Sequence, residues 1–131
     1  MSTRQVPIID RNNLKIASTS DVLYRHLRSF AEYDLDGVLA DYASDAVLFV
    51  PAGPLKGLDA IKPLFQQLIS EFAWPGSSFT MQRQYIEGDH AYILWTAETA
   101  DNSYEFATDT FVVRNGKIIA QSFAAKLKPK Q

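Results

Sequence analysis

The pattern of apolar and polar positions changes its period once along the chain. In the first half, apolar residues recur at helical spacing, as at Leu23, Leu27 and Phe30 and again from Ile61 to Phe72. After Ser78, β-branched and aromatic residues dominate four segments separated by turn signals. These segments are residues 79–87, 91–99, 104–114 and 117–127. The change of period predicts helices first and long antiparallel strands afterwards.

Local signals place the ends of these elements. Ser18 to Asp21 supply cap chemistry for the first helix, and Asp34 caps a second helix whose apolar positions extend to Tyr42. The apolar run 46–50 reads as a short buried strand that ends at Pro51-Ala52-Gly53-Pro54. Asn115-Gly116 indicates a tight hairpin. The order predicts an α+β fold in which helices pack in the concave face of a strongly curved, mainly antiparallel sheet.

Composition narrows the class of protein. The 131 residues carry a net charge of -2, no cysteine and two histidines. We therefore expect no nucleic-acid partner, no thiolate chemistry, no metal site and no cofactor. No apolar stretch has membrane-spanning length, so we expect no membrane partner and a cytoplasmic protein. Residues 1–17 read as an N-terminal leader and residues 18–131 as a single domain.

Two stretches carry a resemblance to a known family. FAEYDLDGVLADYASDAVLFVPAG (residues 30–53) and LKGLDAIKPLF (residues 55–65) resemble the first half of the ketosteroid-isomerase-like superfamily. That superfamily includes the SnoaL-like polyketide cyclases and the nuclear-transport-factor-like domains. The resemblance implies a cone-shaped fold with a pocket for a small molecule inside it. It also implies homodimers formed through the open face of the sheet, here predicted to carry Tyr104, Phe106, Thr108 and Thr110.

The resemblance places two catalytic positions of the isomerases on this chain. Their aspartate base at the end of the first strand corresponds to Val50, so steroid isomerisation by the family mechanism is not expected. Their protonated aspartic acid on a later strand corresponds to Asp109. Alternation independently places Asp109 on one face with Ala107, Phe111 and Val113. An apolar environment there would raise the pKa of the Asp109 carboxyl and suit it to proton transfer. The alternative is a solvent-facing aspartate on an edge strand.

His26 is the second candidate catalytic residue. It lies at the flank of the apolar stripe of the first helix, where an ungapped match places the oxyanion tyrosine of the isomerases. Histidine donates, accepts and titrates near neutral pH. A pair of His26 and Asp109 would form an acid-base dyad, whereas a half-exposed packing role for His26 is the alternative. No phosphate-binding glycine loop, nucleophile elbow or metal-ligand spacing is present.

Apolar and aromatic side chains are the candidates for binding a ligand, although such residues also form ordinary cores. The predicted ligand-binding residues are Tyr42, Phe49, Val50, Phe65, Phe72, Trp95, Phe111 and Phe123. Two functions remain open. One is an isomerase, cyclase or dehydratase that performs cofactor-free acid-base chemistry on a small apolar carbonyl compound. The other is a non-catalytic ligand-binding or dimerisation module of the same fold.

Overall fold

The computed structural model describes residues 16–131, so residues 1–15 of the predicted leader lie outside the described residues. Helices and strands follow the predicted order. The elements are α1 (Thr19–Ala31), α2 (Leu35–Ala40), β1 (Tyr42–Val50), β2 (Gly53–Lys56), α3 (Leu58–Ala73), β3 (Ser78–Glu87), β4 (His90–Glu98), β5 (Asn102–Arg114) and β6 (Lys117–Pro129). No helix in this part of the chain is long and apolar enough to span a lipid bilayer.

The strands form one unclosed six-stranded sheet in the order β2-β1-β6-β5-β4-β3. Every neighbouring pair is antiparallel except β1 and β6, which are parallel. The apolar faces of α1 and α3 are buried on the concave side, where Val22, Leu48 and Ile61 are among the most buried side chains. The predicted α+β class with a curved, mainly antiparallel sheet is thereby confirmed.

The predicted caps and hairpin are observed. Ser18 accepts from the backbone N–H of Asp21, and the Asp21 side chain accepts from the backbone of Ser18, which forms a capping box at the start of α1. Asp34 accepts from the backbone N–H of Gly37 and caps α2. Asn115 and Gly116 both have positive φ, at 53° and 76°. This is the geometry that a tight two-residue hairpin requires.

Two local predictions were wrong. Tyr42 is the first residue of β1 and not the last turn of α2, because it pairs with Ile118 of β6. Residues 51–54 do not form only a loop: the chain reverses after Val50, and β2 begins at Gly53, which pairs back onto Val50. Gly53 has a φ of 133°, a conformation in which a side chain would be strained. The first strand is therefore one half of a hairpin at the sheet edge.

Irregular register curves the sheet and changes which side chains face inward. Pairing shifts between Tyr104 and Phe106, and again between Val112 and Val113. Each shift inserts an extra residue, which bends the strand and reverses the alternation. Tyr104 is consequently buried on the concave side, contrary to its predicted place on the open face, while Phe106 remains 48% exposed.

Candidate functional site

A cavity of about 70 Å³ lies between α1, α3 and the concave face of the sheet. Its wall is almost wholly apolar, with aliphatic side chains such as Leu27, Leu64 and Leu68 contributed by the helices. Three polar side chains interrupt this wall: His26 from α1, Asp109 from β5 and Gln121 from β6. A cavity of this kind gives an apolar molecule a surface to pack against and one polar region to orient it.

Seven of the ten predicted site residues line this cavity. They are His26, Phe65, Phe72, Trp95, Asp109, Phe111 and Phe123. The other three do not line it. Phe49 is 51% exposed, because alternation along β1 directs its neighbour Leu48 inward. Val50 packs against the core at the end of the strand. Tyr42 is buried next to His26, outside the cavity wall.

Asp109 is a buried carboxyl held by two donors. The indole Nε1 of Trp95 donates to its Oδ2 at 2.8 Å, and Nε2 of Gln121 donates to its Oδ1 at 2.9 Å. Burial raises the pKa of Asp109 from 3.8 to about 6, although the hydrogen bonds from Trp95 and Gln121 and the nearby His26 act to lower it. The predicted alternation of residues 107–113 is observed, since Ala107, Asp109, Phe111 and Val113 are all buried.

His26 does not hydrogen-bond to Asp109, so the predicted direct dyad is not formed. Its Nδ1 instead contacts Oδ2 of Asp41 at 3.1 Å, and Nε of Arg25 donates to Oδ1 of the same carboxylate at 2.7 Å. Burial raises the pKa of Asp41, but the hydrogen bonds from His26 and Arg25 outweigh it and hold the pKa below its ordinary value. His26 is also buried, with the rings of Phe65 and Phe111 edge-on to the imidazole.

Two further side chains connect His26 with Asp109. Nε2 of His26 lies 3.3 Å from the hydroxyl oxygen of Tyr42, and that hydroxyl donates to Oε1 of Gln121. Gln121 donates in turn to Asp109, so the buried chain runs without a break from Asp41 to Asp109. We call these five residues the polar chain. Burial, together with the charges of Asp109 and Asp41, raises the pKa of Tyr42 well above its ordinary value.

Sequence reasoning missed Gln121 and Asp41. The sequence does show Gln121 as a lone amide side chain within the largely apolar segment of β6. Which face of the sheet this side chain occupies, however, depends on the register shift near Ile119. Asp41 stands next to Tyr42 in the stretch that carries the family resemblance, and its position after a helix gave no reason to expect burial. Both residues are at most 5% exposed.

A larger groove adjoins the cavity. It has a volume of about 450 Å³ and is lined mainly by apolar side chains at the C-terminal end of α1 and the start of β3. The groove and the cavity share Leu27, Phe30, Phe72 and Phe79. Tyr24 and Tyr33 stand at its outer side and are 68% and 50% exposed. The combined volume of the cavity and the groove falls within the range of roughly 300–1,000 Å³ that is usual for small-molecule sites.

Residues 16–131 contain no group of three or more histidine or acidic side chains placed to hold a metal ion. Asp41 and Asp109 each already accept hydrogen bonds from two side chains. Within the described part of the chain, the polar residues of the cavity are thus arranged to bond with one another. Carboxyl, imidazole, hydroxyl and amide groups are able to hydrogen-bond, and the first two titrate in the range in which proteins transfer protons.

Comparison with known proteins gives a consistent assignment of the fold. A model of the SnoaL-like domain matches residues 23–121. Similar solved structures include an NTF2-like protein of unknown function from Mesorhizobium loti, which is 24% identical with a TM-score of 0.69 over 82% of this chain and 90% of that one. Another NTF2-like protein of unknown function, from Cytophaga hutchinsonii, is 10% identical with a TM-score of 0.69 over 86% of this chain and 92% of that one.

A third similar structure is that of TerC co-crystallized with polyporic acid. It is 14% identical, with a TM-score of 0.67 over 84% of this chain and 92% of that one. No curated protein matches the sequence closely enough to count as a relative. At these identities the structures establish a shared fold, and a fold alone does not specify a reaction.

Proposed function

The chain belongs to the SnoaL-like domain family, and from this premise we propose that its cavity binds a small, largely apolar carbonyl compound and performs cofactor-free acid-base chemistry on it. The observation that carries the proposal is the Asp109 carboxyl. It is buried in the wall of an apolar cavity and oriented by Trp95 and Gln121. A carboxyl in this environment with a pKa near 6 can both remove and return a proton close to neutral pH.

The chemistry follows from the two states of Asp109. As a carboxylate it takes a proton from a carbon next to the carbonyl group of the ligand, and the electron pair moves onto the carbonyl oxygen. As a carboxylic acid it returns the proton to a different carbon of the same compound. Return of the proton to carbon completes an isomerisation. In an aldol-type cyclisation the same first step is followed by protonation of the new alkoxide, and in the dehydration of a β-hydroxy carbonyl compound by protonation of the departing hydroxyl, which leaves as water. Val50 provides no acid or base at the end of β1, and both ring nitrogens of His26 are bonded within the protein, so we assign both steps to Asp109.

The shape of the site favours an elongated ligand. The cavity beside Asp109 admits only a small group, whereas the adjoining groove offers a wider apolar surface. The ligand would therefore place its carbonyl end in the cavity and its apolar body against Phe30, Phe72 and Phe79. TerC, a protein of similar fold, was co-crystallized with the small molecule polyporic acid, and this supports a small-molecule ligand for the present chain.

Filling the cavity tests where the ligand binds. Leu68 lines the cavity, so Leu68→Trp is expected to lower the affinity for a flat aromatic ketone such as 2-acetylnaphthalene at least tenfold, as measured by calorimetry. Gln67→Trp is the matched control, because Gln67 lies on the same helix but faces a separate polar groove. Equal affinities in both variants would place the ligand outside the cavity.

A non-catalytic binding role is the second candidate, and one observation favours it. Both oxygens of Asp109 already accept hydrogen bonds from the protein. A ligand could then occupy the apolar space without contacting a free polar group. Turnover by the wild-type protein that is lost on substitution of Asp109 separates the enzyme from the binder.

We further propose that the protein is a homodimer that pairs through the convex face of the sheet. Phe106, on this face, is 48% exposed. Thr108 lies two residues further along β5, and Leu94 of β4 pairs with Thr108. An apolar sheet face left in water favours association. The resemblance to nuclear-transport-factor-like domains supports the same arrangement.

Adding charge to this face tests the dimer. Phe106→Asp is expected to convert a dimer into a monomer in light scattering at micromolar concentration, because a carboxylate would be desolvated in the interface. Trp74→Asp is the control, since Trp74 is 65% exposed at the end of α3, a helix that packs on the opposite, concave side of the sheet. A wild-type protein that is already monomeric would contradict the proposal.

A further inference from the structure

The two ends of the polar chain have fixed hydrogen-bond directions. The indole Nε1 of Trp95 can only donate, so Oδ2 of Asp109 accepts from it. At the other end, Asp41 is an ionised carboxylate that accepts from Arg25 and from Nδ1 of His26. Tyr42 and Gln121 connect Nε2 of His26 to Oδ1 of Asp109 through three hydrogen bonds, and the direction of these three bonds is not fixed by the ends. That direction depends on which of His26 and Asp109 carries a proton.

The structure displays one complete arrangement. Nε2 of Gln121 donates to Asp109, and the hydroxyl of Tyr42 donates to Oε1 of Gln121. A hydroxyl has only one proton, so its oxygen is left to accept from Nε2 of His26. In this arrangement His26 carries protons on both ring nitrogens and Asp109 is ionised.

A half-turn of the Gln121 carboxamide produces a second complete arrangement. The amide oxygen and nitrogen exchange places in nearly the same volume. Oε1 then faces Asp109, which donates to it as a carboxylic acid, and Nε2 donates to the oxygen of Tyr42. The hydroxyl of Tyr42 donates to Nε2 of His26, which is neutral. Both arrangements contain the same number of protons, and both satisfy every member of the chain.

Building on the proposed function, we propose that Gln121 is an amide switch that couples proton uptake at Asp109 to proton release at His26. The two remaining protonation states, with both groups protonated or with neither protonated, each leave one polar group without a hydrogen-bond partner. If both groups are protonated, the hydroxyl of Tyr42 has no acceptor; if neither is, one acceptor has no donor. A buried polar group without its partner is unfavourable, so the pair shares one proton. Under the proposed function, Asp109 exchanges a proton with the bound molecule at the cavity wall. His26, whose two ring nitrogens are bonded to Asp41 and Tyr42, changes its own protonation through the chain.

The other charged groups around the pair remain the same in both arrangements. Arg25 and Asp41 lie beside His26 and neutralise each other. From α3, the group packed against His26 is the ring of Phe65, which carries no charge. The switch therefore moves a proton between two sites without changing the net charge of the buried cluster.

Asp109→Asn locks the switch and provides its test. The amide oxygen of the new side chain must accept from Trp95, because the indole cannot accept. Its amide nitrogen then faces Gln121 and imitates the protonated carboxyl, which selects the second arrangement. We expect the proton affinity of His26, followed by ¹⁵N NMR of the imidazole, to fall about tenfold in this variant, which is one pH unit in its midpoint.

Two further variants distinguish coupling through the polar chain from a direct electrostatic effect of Asp109 on His26. Tyr42→Phe and Gln121→Leu each interrupt the chain while the charge of Asp109 stays in place. In either background, Asp109→Asn is expected to change the proton affinity of His26 by no more than about twofold. The same tenfold change in all three backgrounds, or no change in the wild-type background, would overturn the proposal. Tyr42→Phe removes only a hydroxyl, so it tests the chain even if Gln121→Leu does not fold.

The titration needs no substrate and is therefore independent of turnover. If the coupling is present but Asp109→Asn retains activity, the proposed function fails and the switch stands. If the coupling is absent but Asp109→Asn abolishes activity, the switch fails and the proposed function stands.

Discussion

Asp109→Asn is expected to lower the turnover of a carbonyl substrate by about 10²- to 10⁴-fold, which is the usual contribution of a positioned acid-base group. An amide cannot take up a proton from carbon near neutral pH. Ligand affinity is expected to stay within about threefold, because the side chain keeps its shape and the cavity remains apolar. Steady-state kinetics and calorimetry on the same preparation check both results. A variant with unchanged turnover would rule out Asp109 as the catalytic group.

Asp109→Asn is also expected to change the free energy of unfolding in a way that depends on pH. The pKa of Asp109 is about 6 in the folded protein and 3.8 as the ordinary value. Between these two pH values the folded state binds more protons than the unfolded chain. The contribution of Asp109 to the free energy of unfolding of the wild-type protein therefore falls as the pH rises from about 4 to about 6. At pH 8 the ionised carboxyl is unfavourable by about 3 kcal/mol. Asp109→Asn removes this effect.

Urea denaturation at two pH values measures the effect. The variant is expected to be more stable than the wild-type protein by up to about 3 kcal/mol at pH 8, and to lose this advantage near pH 4. Asp45→Asn is the matched control, because Asp45 is exposed on β1. A lower stability of Asp109→Asn at pH 8 would mean that the ionised carboxyl contributes more through its hydrogen bonds than its burial costs.

Asp41→Ala is expected to have the largest effect on stability, with a loss of about 3 kcal/mol in the free energy of unfolding. Asp41 is 1% exposed, and its carboxylate accepts from Nε of Arg25 and Nδ1 of His26. Its removal leaves the buried His26 without its partner, while Arg25 can turn to water. In a domain of this size the loss corresponds to a melting temperature lower by about 10 °C. Calorimetry or thermal circular dichroism measures it.

Glu32→Ala serves as the control for Asp41→Ala. Glu32 pairs with Arg28 at 3.3 Å on the exposed face of α1, so its loss is expected to change the free energy of unfolding by less than about 0.5 kcal/mol. The pKa of Asp41 is held below its ordinary value, so its contribution is present at neutral pH and is lost as pH falls below about 4. Equal losses in both variants at pH 7 would show that the Asp41 cluster adds no more than a surface ion pair.

Periodicity, together with cap and turn signals, was sufficient to predict the order of the elements and part of the candidate site. Regular alternation along residues 107–113 predicts that Asp109 and Phe111 share one face of the strand, and the structure buries both of them. Helical spacing likewise placed Phe65 and Phe72 on the apolar face of α3. These predictions succeeded because each depends only on the geometry of one element.

Register shifts explain the main failures. Counting from the Asn115-Gly116 hairpin with a constant register would pair Gln121 with Thr110 and place it on the convex face. One extra residue near Ile119 pairs Gln121 with Phe111 instead and turns it inward. A shift of one residue moves a side chain to the opposite face, and the sequence shows no glycine or proline that would mark it. The burial of Tyr104 has the same cause.

The parallel pairing of β1 with β6 has a consequence for the folding kinetics. Strands β3 to β6 are joined by short turns and can form by local zipping, whereas Tyr42 meets Gln121 across 79 positions of the chain. Closing so long a loop is entropically slow, so we expect β1 to dock late on the folding pathway. Mutations in β1 should then mainly accelerate unfolding, with φ-values near zero.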